Sequence, residues 1–484
     1  MTALSVFDAA ASEPDRDALV CDGVRLTFAE LARRVHARSA QLGLATAHAG
    51  PIALLVDHSL AMFECLYACF AWGVPVLPVH PRLSAPERQV LLDASGAQTV
   101  LDPARLPAVV SAPVRDWPAS TIAEQRALAL VPSSGSTGTP KLVELSRRAF
   151  QALAEADALR VPPEPHDRAL LCLPLSHVGG LSVVIRALAA RRCCVVFRAA
   201  SSGLLGSIPE LVQTLIAERI SLLSLVPPVL SRLLRHEPRV AELAPLRALL
   251  LGGQACPAAL LDEARARGVP VLTSYGLTEM CSQVTTQLFP PTALTALKRG
   301  VVSSGFPLPG VEVRVVNGLV EVRGPTLFSG YLGKPSTLDA SGFFATGDRG
   351  EFDPELGLFV FGRASELIIS GGENIDPTEV EQALLACGGL EAACVFGVPD
   401  PEFGERVAAA LELTPGRTFD EQALFAALDL RLASFKQPRL LCSFESLPRL
   451  GSGKLDRPRV RAEAEPRLRA AERAPNSRTP AVRL

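Results

Sequence analysis

Apolar positions along the first 350 residues follow two alternating periods. LTFAELARRVHARSAQLGL (26–44) has apolar residues three and four apart and predicts an amphipathic helix, whereas PIALLVDHS (51–59) is a short apolar run that predicts a buried strand. The next helix and strand are predicted in 60–73 and 74–79. Further short β-runs, mostly separated by helix-like stretches, are predicted in 168–175, 192–198, 220–228, 246–253 and 269–276.

This repeated strand–helix–strand order predicts parallel sheets covered by helices. The pattern changes near residues 300–362, where VEVRVVNGLVEVRGP predicts a hairpin that turns at Asn317-Gly318. From about residue 365 a smaller α+β pattern follows, with helices in PTEVEQALLAC and DEQALFAALDLRL and strands in AACVFGV and RVAAALEL. Residues 464–484 have no stable pattern, so we expect them to form a flexible tail.

Composition narrows the class of protein. The net charge of −2 over 484 residues argues against a nucleic-acid partner, which normally needs a basic face. The eleven cysteines contain no CxxC pair, so we expect reduced thiols in the cytoplasm and no zinc site. The N-terminus lacks the pattern of an export signal, and the apolar runs are too short to predict a membrane span.

The stretch VPSSGSTGTPKLVELS (131–146) combines hydroxyl side chains, bare backbone amides and Lys141. Its glycines and proline exclude a helix and disfavour a strand, so it is a loop. By itself it fits two interpretations equally well, a plain Ser/Gly linker or a cradle for phosphate oxygens. It lacks the GxxxxGK[ST] pattern, which disfavours a P-loop NTPase.

Five more glycine-rich or charged turns follow strand-like runs, and ligands of open parallel sheets bind where strands end. SSGSTGTPK (133–141) resembles the phosphate loop of the adenylate-forming superfamily of acyl-CoA synthetases, luciferases and peptide-synthetase adenylation domains. The resemblance continues, in order, over nearly the whole chain. Its other blocks are LGGQACP (251–257), TSYGLTEMCSQ (273–283), ATGDRG (345–350), FGRASELIISGGENIDPTEVE (361–381) and LPRLGSGKLDR (447–457).

The resemblance implies that a carboxylate is joined to the α-phosphorus of ATP, with release of pyrophosphate. Because like charges must be held together, the residues chiefly position and stabilise charge. Asp348 has the chemistry to accept hydrogen bonds from ribose hydroxyls, although a turn aspartate beside glycine is also common. The implied ATP- or AMP-binding residues are Ser134, Gly135, Ser136, Thr137, Gly138, Thr139, Lys141, Gly252, Gly253, Gln254, Ser274, Tyr275, Gly276, Thr278, Asp348 and Arg363.

Three residues are implied to be catalytic. Glu279 would bind Mg²⁺ through a carboxylate oxygen, with Thr137 as a second metal contact. Lys454 would stabilise the adenylation transition state, and His177 would contact or gate the reacting carboxylate. The chain has only five lysines, and two of them, Lys141 and Lys454, fall on motif positions.

The family also implies two domains that alternate between half-reactions. We expect an N-terminal domain over 1–363, with a small β-barrel-like subdomain, and a mobile α+β domain over 366–463. The hinge is predicted around Arg363–Glu366, although many relatives have two acidic residues where this chain has Ser365-Glu366. Rotation would expose a coenzyme A channel near Gly371 and Gly372, where glycines suit a narrow passage. A homodimer is left open.

PLSHVGGLSVVIRAL (174–188) is the segment in which relatives build the acyl pocket. It lacks the acidic residue that an amino-acid substrate would need, which counts against a peptide-synthetase module. Arg186 could pair with a remote carboxylate or could equally be a solvated helix residue. The predicted pocket residues are His177, Gly180, Ser182, Arg186, Cys281 and Gln283, with Ser282 as a further polar candidate.

PLSHVGGLS, TSYGLTEMCSQV, LIISGGENIDPTEVE and GPTLFSGYL most resemble the o-succinylbenzoate–CoA ligases of menaquinone synthesis. The resemblance therefore implies an enzyme that uses ATP, Mg²⁺ and coenzyme A to activate a keto-dicarboxylate aromatic acid. Two alternatives remain: a general aryl- or medium-chain acyl-CoA synthetase, and a catalytically silent protein that binds nucleotide or acyl groups.

Overall fold

Strands and helices alternate through the first 275 residues, as the apolar pattern predicts. The computed structural model describes residues 4–44, 50–109, 122–133, 141–199, 203–291, 296–370, 373–400, 403–416, 420–451 and 453–472. The first elements are α1 (Val6–Ser12), β1 (Asp17–Cys21), β2 (Val24–Thr27), α2 (Phe28–Gln41), β3 (Ile52–Leu55), α3 (Leu60–Trp72), β4 (Val76–Val79), α4 (Ala85–Ser95), β5 (Thr99–Leu101), β6 (Ala127–Ser133), β7 (Lys141–Ser146) and α5 (Arg147–Arg160). The next are β8 (Arg168–Leu171), α6 (Val178–Ala189), β9 (Cys193–Val196), α7 (Ile208–Ala217), β10 (Leu222–Leu225), α8 (Pro227–His236), α9 (Val240–Leu243), β11 (Ala248–Leu251), α10 (Ala258–Ala266) and β12 (Val271–Tyr275).

Short strands dominate the rest of the N-terminal domain, and a second α+β unit follows. The strands are β13 (Thr285–Thr286), β14 (Leu297–Lys298), β15 (Val301–Val302), β16 (Phe306–Pro307), β17 (Glu312–Val316), β18 (Leu319–Arg323), β19 (Gly330–Tyr331), β20 (Phe344–Asp353) and β21 (Gly357–Arg363). The last unit contains β22 (Ile368–Ser370), β23 (Glu373–Ile375), α11 (Pro377–Ala386), β24 (Leu390–Asp400), β25 (Gly404–Leu413), α12 (Glu421–Asp429), β26 (Leu440–Phe444) and α13 (Arg457–Glu472).

Two sheets with parallel centres form the body of the N-terminal domain. The larger has the order β16-β13-β12-β11-β10-β8-β9-β1-β2, and its strands from β12 to β1 are parallel. The smaller has the order β19-β7-β6-β4-β3-β5, with β6, β4, β3 and β5 parallel. Buried apolar residues of both sheets and of α2, α3, α5 and α6 form the main core. The predicted helix-covered parallel sheets are confirmed.

Local chemistry explains where several elements begin and end. Thr27 and Glu30 form a reciprocal capping box at the start of α2, and Gly73 ends α3 in the left-handed conformation. Asn317 and Gly318, with φ of +51° and +77°, turn the predicted hairpin between β17 and β18. These strands belong to an antiparallel sheet of order β17-β18-β20-β21, which forms the small β subdomain.

The C-terminal unit has its own sheet, β23-β22-β25-β24 with β26 beside β25, and its own apolar clusters. The predicted start of a flexible tail at residue 464 is wrong, because α13 continues to Glu472 and buries Ala464 and Leu468 against this sheet. At the start of α13, Arg457 forms ion pairs with Glu381 at 2.7 Å and with Glu366 at 3.2 Å. Residues 473–484 lie outside the described part of the chain.

Among the described helices none is both long and apolar enough to cross a membrane. All eleven cysteines are free thiols, and most are buried among apolar side chains. The described residues contain no cluster of three His, Cys, Asp or Glu side chains that could hold a metal ion.

Candidate active site

The carboxyl ends of β10, β11 and β12 meet at one edge of the larger sheet. Their registers place Leu225 beside Leu251 and Leu251 beside Thr273, so the turns after these strands are neighbours. The turn after β11 holds the predicted Gly252, Gly253 and Gln254, the last half-buried.

Both glycines of this turn are needed for close approach. A Cβ at Gly252 would lie 2.9 Å from the Ser274 carbonyl oxygen, and one at Gly253, where φ is +84°, would lie 2.6 Å from the Lys454 Cε. The catalytic lysine predicted in the C-terminal domain therefore reaches the end of β11.

A hydrogen-bonded group of three predicted nucleotide-binding residues lies beside this turn. The Tyr275 hydroxyl donates to Asp348 Oδ2 at 2.5 Å, and Arg363 Nε lies 2.9 Å from Asp348 Oδ1. Register between β20 and β21 places Asp348 opposite Arg363. Burial raises the pKa of Asp348, although Arg363 and the tyrosine hydroxyl oppose that shift. The carboxylate is thus held in a fixed orientation.

The turn that follows β12 is built around Gly276. A Cβ there would fall 1.5 Å from the Ser282 carbonyl oxygen, which only glycine avoids. Ser274 donates to the Thr285 carbonyl oxygen at 2.8 Å, which fixes the end of β12. Thr278 and Glu279 follow in a 3-10 turn over Thr278–Met280.

Glu279 is joined to the flank of the predicted phosphate loop through Tyr331. The Tyr331 hydroxyl donates to Glu279 Oε1 at 2.8 Å, and Lys141 Nζ lies 5.1 Å from the centre of the Tyr331 ring. Burial, followed by the charge of Glu279, raises the pKa of Tyr331, so the tyrosine stays a donor. A carboxylate next to a triphosphate loop suits Mg²⁺, which is usually bound by one or two carboxylates plus substrate phosphates.

The prediction that 131–146 is entirely a loop is wrong at both ends, because 131–133 belong to β6 and Lys141–Ser146 forms β7. The hairpin of β6 and β7 leads into and out of the predicted phosphate loop, with Ser133 opposite Lys141. The loop residues themselves, Ser134, Gly135, Ser136, Thr137, Gly138 and Thr139, lie outside the described residues. The predicted coenzyme A channel residues Gly371 and Gly372 do too. Their roles, and the metal contact of Thr137, stay predictions.

His177 precedes α6 at the carboxyl side of β8, open to the cleft that Lys454 enters. Loss of hydration around the ring lowers the pKa of His177 to about 4, and the charge of Lys454, followed by that of His80 when its ring is protonated, adds to the effect. Burial and then Arg363 lower the pKa of Lys454. His177, Lys454 and Arg363 therefore lie within electrostatic range of one another, on a site suited to an anion.

Arg186, predicted to pair with a remote carboxylate or to be solvated, is not solvated. Its Nη1 lies 2.9 Å from the buried Asp157 Oδ1, and its Nη2 donates to Ser224 Oγ at 3.3 Å. These side chains line a cavity of about 40 Å³ between α5, α6 and the larger sheet, together with Gln283 and Thr286. Gln283 Oε1 is buried without a hydrogen-bond partner among the described residues.

The other predicted pocket residues have structural contacts. A Cβ at Gly180 would lie 2.4 Å from the Pro174 carbonyl oxygen, so the glycine lets α6 pack on the preceding turn. Ser182 donates to the Gly179 carbonyl oxygen at 2.9 Å. Cys281 is fully buried in the left-handed conformation, and Ser282 also has a positive φ, +112°. Their contact with a substrate stays a prediction.

Sequence reasoning missed three residues of this site. Tyr331 was within a motif, GPTLFSGYL, that the family resemblance singled out, so its hydroxyl could have been considered. His80 directly follows β4, and the rule that ligands bind at strand ends could have found it. Asp157 gave no signal, because only the fold brings α5 next to α6.

Family comparisons agree with this geometry. Residues 6–332 match the family model described as AMP-binding enzyme, and residues 379–454 match the model described as AMP-binding enzyme C-terminal domain. The chain belongs to the AMP-binding enzyme family. Within this family, a 2-succinylbenzoate–CoA ligase from Bacillus pumilus is 32% identical over 480 residues, which cover 93% of this chain and 96% of the relative.

Solved structures of this family superpose over nearly the whole chain. The o-succinylbenzoate CoA synthetase (MenE) from Bacillus subtilis, in complex with the acyl-adenylate intermediate OSB-AMP, gives a TM-score of 0.82 at 29% identity and covers 95% of this chain and 98% of its own. The same synthetase with ATP and magnesium ion gives 0.81 at 29% identity over 94% and 98%.

Proposed function

We propose that the protein is an ATP-dependent acid–thiol ligase of menaquinone biosynthesis. It activates o-succinylbenzoate as the acyl-adenylate, releases pyrophosphate, and transfers the acyl group to coenzyme A to give o-succinylbenzoyl-CoA and AMP. The observation that carries the proposal is the meeting of Lys454 with the turn at Gly253, beside the Tyr275–Asp348–Arg363 group. The identity of the acid is inferred from the names of the relatives.

The Tyr275–Asp348–Arg363 group supports nucleotide binding. An oriented carboxylate can accept hydrogen bonds from both ribose hydroxyls, and Arg363 offers further donors to the ribose or phosphate. Gly252, Gly253 and Gly276 let the turns at the ends of β11 and β12 pack closely against Ser274, Lys454 and Ser282, which brings these turns together beside the group.

Adenylation brings two anions together, and the cationic side chains of the cleft oppose their repulsion. Lys454 can donate to the developing charge on the α-phosphate and the carboxylate. His177 has a pKa of about 4, so near neutral pH its imidazole is uncharged and contacts the acid by hydrogen bonding.

Glu279 would hold Mg²⁺, with Tyr331 orienting its carboxylate through the 2.8 Å hydrogen bond. When bound, the ion supplies charge neutralisation for the triphosphate. Lys141, at the end of the phosphate loop, adds a fixed positive charge on the same side.

Arg186 is the candidate anchor for the remote carboxylate of o-succinylbenzoate. Three of its five N–H donors bond to Asp157, Ser224 and the Ser182 carbonyl oxygen. The other donors have no partner among the described residues and are available to an acid. The partnerless Gln283 Oε1 faces the same region and suits a bridging water or a donor group. The small cavity must widen to admit the acid.

Thioester formation follows after the C-terminal domain rotates about the segment near Arg363–Glu366. That rotation, the channel at Gly371 and Gly372, the cytoplasmic location and a homodimer all stay predictions.

The proposal is tested by pyrophosphate release across an acid panel containing o-succinylbenzoate, benzoate and medium-chain fatty acids. We expect o-succinylbenzoate to be preferred, and Arg186→Lys to reduce its kcat/KM about tenfold or more, since one bidentate charge contact is lost. Arg33→Lys, in α2, is the control. Equal use of the monocarboxylic acids would favour a general acyl-CoA synthetase, and no adenylate from any acid would favour a binding protein.

A further inference from the structure

His80 lies between the smaller sheet and the loop that carries the catalytic lysine. It directly follows β4 and is half-buried. A Cβ placed on Gly451 would lie 3.1 Å from His80 Nε2 and 3.7 Å from its Cδ2, so the bare backbone of Gly451 rests on the edge of the imidazole. This contact joins the N-terminal domain to the lysine loop, defined as residues 449–455.

The orientation of the ring is fixed from its other side. The Arg82 backbone N–H donates to His80 Nδ1 at 3.1 Å. With Nδ1 acting as acceptor, the neutral ring carries its proton on Nε2, the atom that faces Gly451. The protonated Nε2 edge of the His80 ring therefore faces the backbone at Gly451 in a fixed orientation.

Within the loop, Leu450, the neighbour of Gly451, is hydrogen-bonded to Lys454. The Leu450 N–H donates to the Lys454 carbonyl oxygen at 2.8 Å, and the Gly453 N–H donates to the Leu450 carbonyl oxygen at 2.8 Å. Arg449 and Leu455 form a bridge that closes the loop. A displacement of the backbone at Gly451 is therefore expected to displace the backbone that carries Lys454.

A second support lies beneath the other side of the loop. A Cβ at Gly453 would lie 3.3 Å from Val226 Cγ2, and Lys454 itself meets Gly253. The valine contact is apolar and not directional, so it limits how closely the loop approaches α8 but does not fix where the loop lies along it. His80 meets the loop at a separate point, Gly451.

We propose that His80 is a positioning residue for adenylation: it docks the lysine loop at Gly451 and so sets the place of Lys454 over the end of β11. The proposal rests on the proposed function and makes a distinct statement, because it concerns only the half-reaction that uses Lys454. His80 itself touches no reacting atom.

The test separates the two half-reactions in the full-length protein. Adenylation is followed as pyrophosphate release from ATP and o-succinylbenzoate without coenzyme A, and thioester formation is followed from pre-made acyl-adenylate plus coenzyme A. For His80→Ala we expect adenylation to fall about tenfold, since misplacement by about 1 Å costs this much or more, while thioester formation changes less than about twofold.

Two further variants distinguish docking from a role in the local turn. His80→Gln places an amide N–H near the position of Nε2 and should retain most adenylation. His80→Asn can accept the Arg82 N–H but is too short to reach Gly451, so it should behave like His80→Ala. His166→Ala, an exposed histidine before β8, is the matched control and should be unchanged.

The loop side provides a double-mutant test. Gly451→Ala should slow adenylation because its methyl group meets His80, and that effect should largely disappear when His80 is also alanine. Additive effects, or equal losses in both half-reactions for the soluble His80→Ala and His80→Asn proteins, would overturn the proposal.

Amide hydrogen exchange of residues 449–455 with bound ATP gives a readout that does not depend on the acid. We expect faster exchange in His80→Ala than in wild type and in His80→Gln. If wild type formed no adenylate but this difference appeared, the docking contact would stand and the proposed substrate would fail. Unchanged exchange would reject the docking contact.

Discussion

The nucleotide-binding residues of the N-terminal domain and the contact between the two domains are stabilised by different kinds of interaction. On the N-terminal side, the carboxylate of Asp348 is buried and fixed by Tyr275 at 2.5 Å and Arg363 at 2.9 Å, on strands that belong to extended sheets. On the C-terminal side, α8 meets the second domain through an ion pair of Arg235 with Glu391 whose arginine is 40% exposed.

The packing is also looser around the Arg235–Glu391 contact than around Asp348. An open cleft of about 450 Å³ lies between α8 and the sheet of the C-terminal domain, around Arg235 and Glu391. Interfaces of this polar, loosely filled kind permit domain motion, whereas buried hydrogen bonds resist it. The nucleotide side is therefore held by buried hydrogen bonds, and the contact with the C-terminal domain is of the kind that the predicted domain motion requires.

The largest effect should come from Lys454→Ala, which removes the predicted transition-state donor of the C-terminal domain and leaves the nucleotide-binding residues intact. We expect adenylation to fall about 10²–10³-fold, the usual cost of one transition-state donor, with ATP affinity nearly unchanged. Stopped-flow pyrophosphate release and calorimetric titration of ATP measure the two quantities. Lys334→Ala, at an exposed position, is the control. A loss of ATP affinity as large as the loss of rate would mean that Lys454 belongs to the nucleotide side.

A smaller effect is expected from Tyr275→Phe on the nucleotide side. It leaves the buried Asp348 carboxylate without one donor, which typically costs about 1–3 kcal/mol in the free energy of unfolding. ATP should bind about tenfold more weakly, because 1.4 kcal/mol corresponds to a factor of ten. Tyr67→Phe, in the core at α3, should leave ATP affinity unchanged. Wild-type affinity in Tyr275→Phe would show that the hydroxyl does not orient the carboxylate.

Breaking the ion pair across the interface should have a modest effect. Arg235→Ala should slow adenylation about two- to threefold, and the cycle with Glu391→Ala should give a coupling free energy of about 0.2–1 kcal/mol that weakens with salt. Arg461→Ala breaks a comparably exposed pair with Glu465 inside α13 and should not affect adenylation. A coupling free energy that does not depend on salt would show that the Arg235–Glu391 contact is not a solvent-exposed ion pair.

The smallest effect concerns acid. The pKa of His177 is about 4 in the folded protein against an ordinary 6.5, so the folded state binds fewer protons between these values. Its stabilising contribution is therefore complete above pH 6.5 and is lost as the pH falls toward 4. Because the imidazole is open to the cleft, we expect less than about 1 kcal/mol.

Urea unfolding of wild type and His177→Gln at pH 7 and pH 4.5 measures this contribution. The difference between the two proteins should change in that interval, with wild type losing more stability. Parallel curves would mean that His177 titrates normally. His166→Ala should track wild type at both values.

Most of the fold could be predicted, since it rests on local periodicity. The β-runs near 51–59 and 246–253 became β3 and β11, and Asn317-Gly318 turned the expected hairpin. The tail prediction failed because its composition hid two apolar residues, Ala464 and Leu468, that are spaced four apart on one helix face.

The site could be predicted only where a motif carried it. Gly253 and Lys454 lie about 200 positions apart, and the family resemblance placed both. The partner of Arg186 could not be predicted, because Asp157 approaches it only through the packing of α5 on α6. His80 could have been noticed from its place after β4, but its contact with Gly451 could not be predicted, because that partner is the backbone of another domain.

Arg457 follows Lys454 by three residues and forms an ion pair with Glu366, in the segment predicted to be the hinge between the two domains. The Arg457 guanidinium thus connects the segment that follows Lys454 to the predicted hinge. In the predicted domain rotation about this segment, Lys454 would therefore move together with Glu366, so that withdrawal of the ammonium and arrival of the opposite domain face would be a single movement.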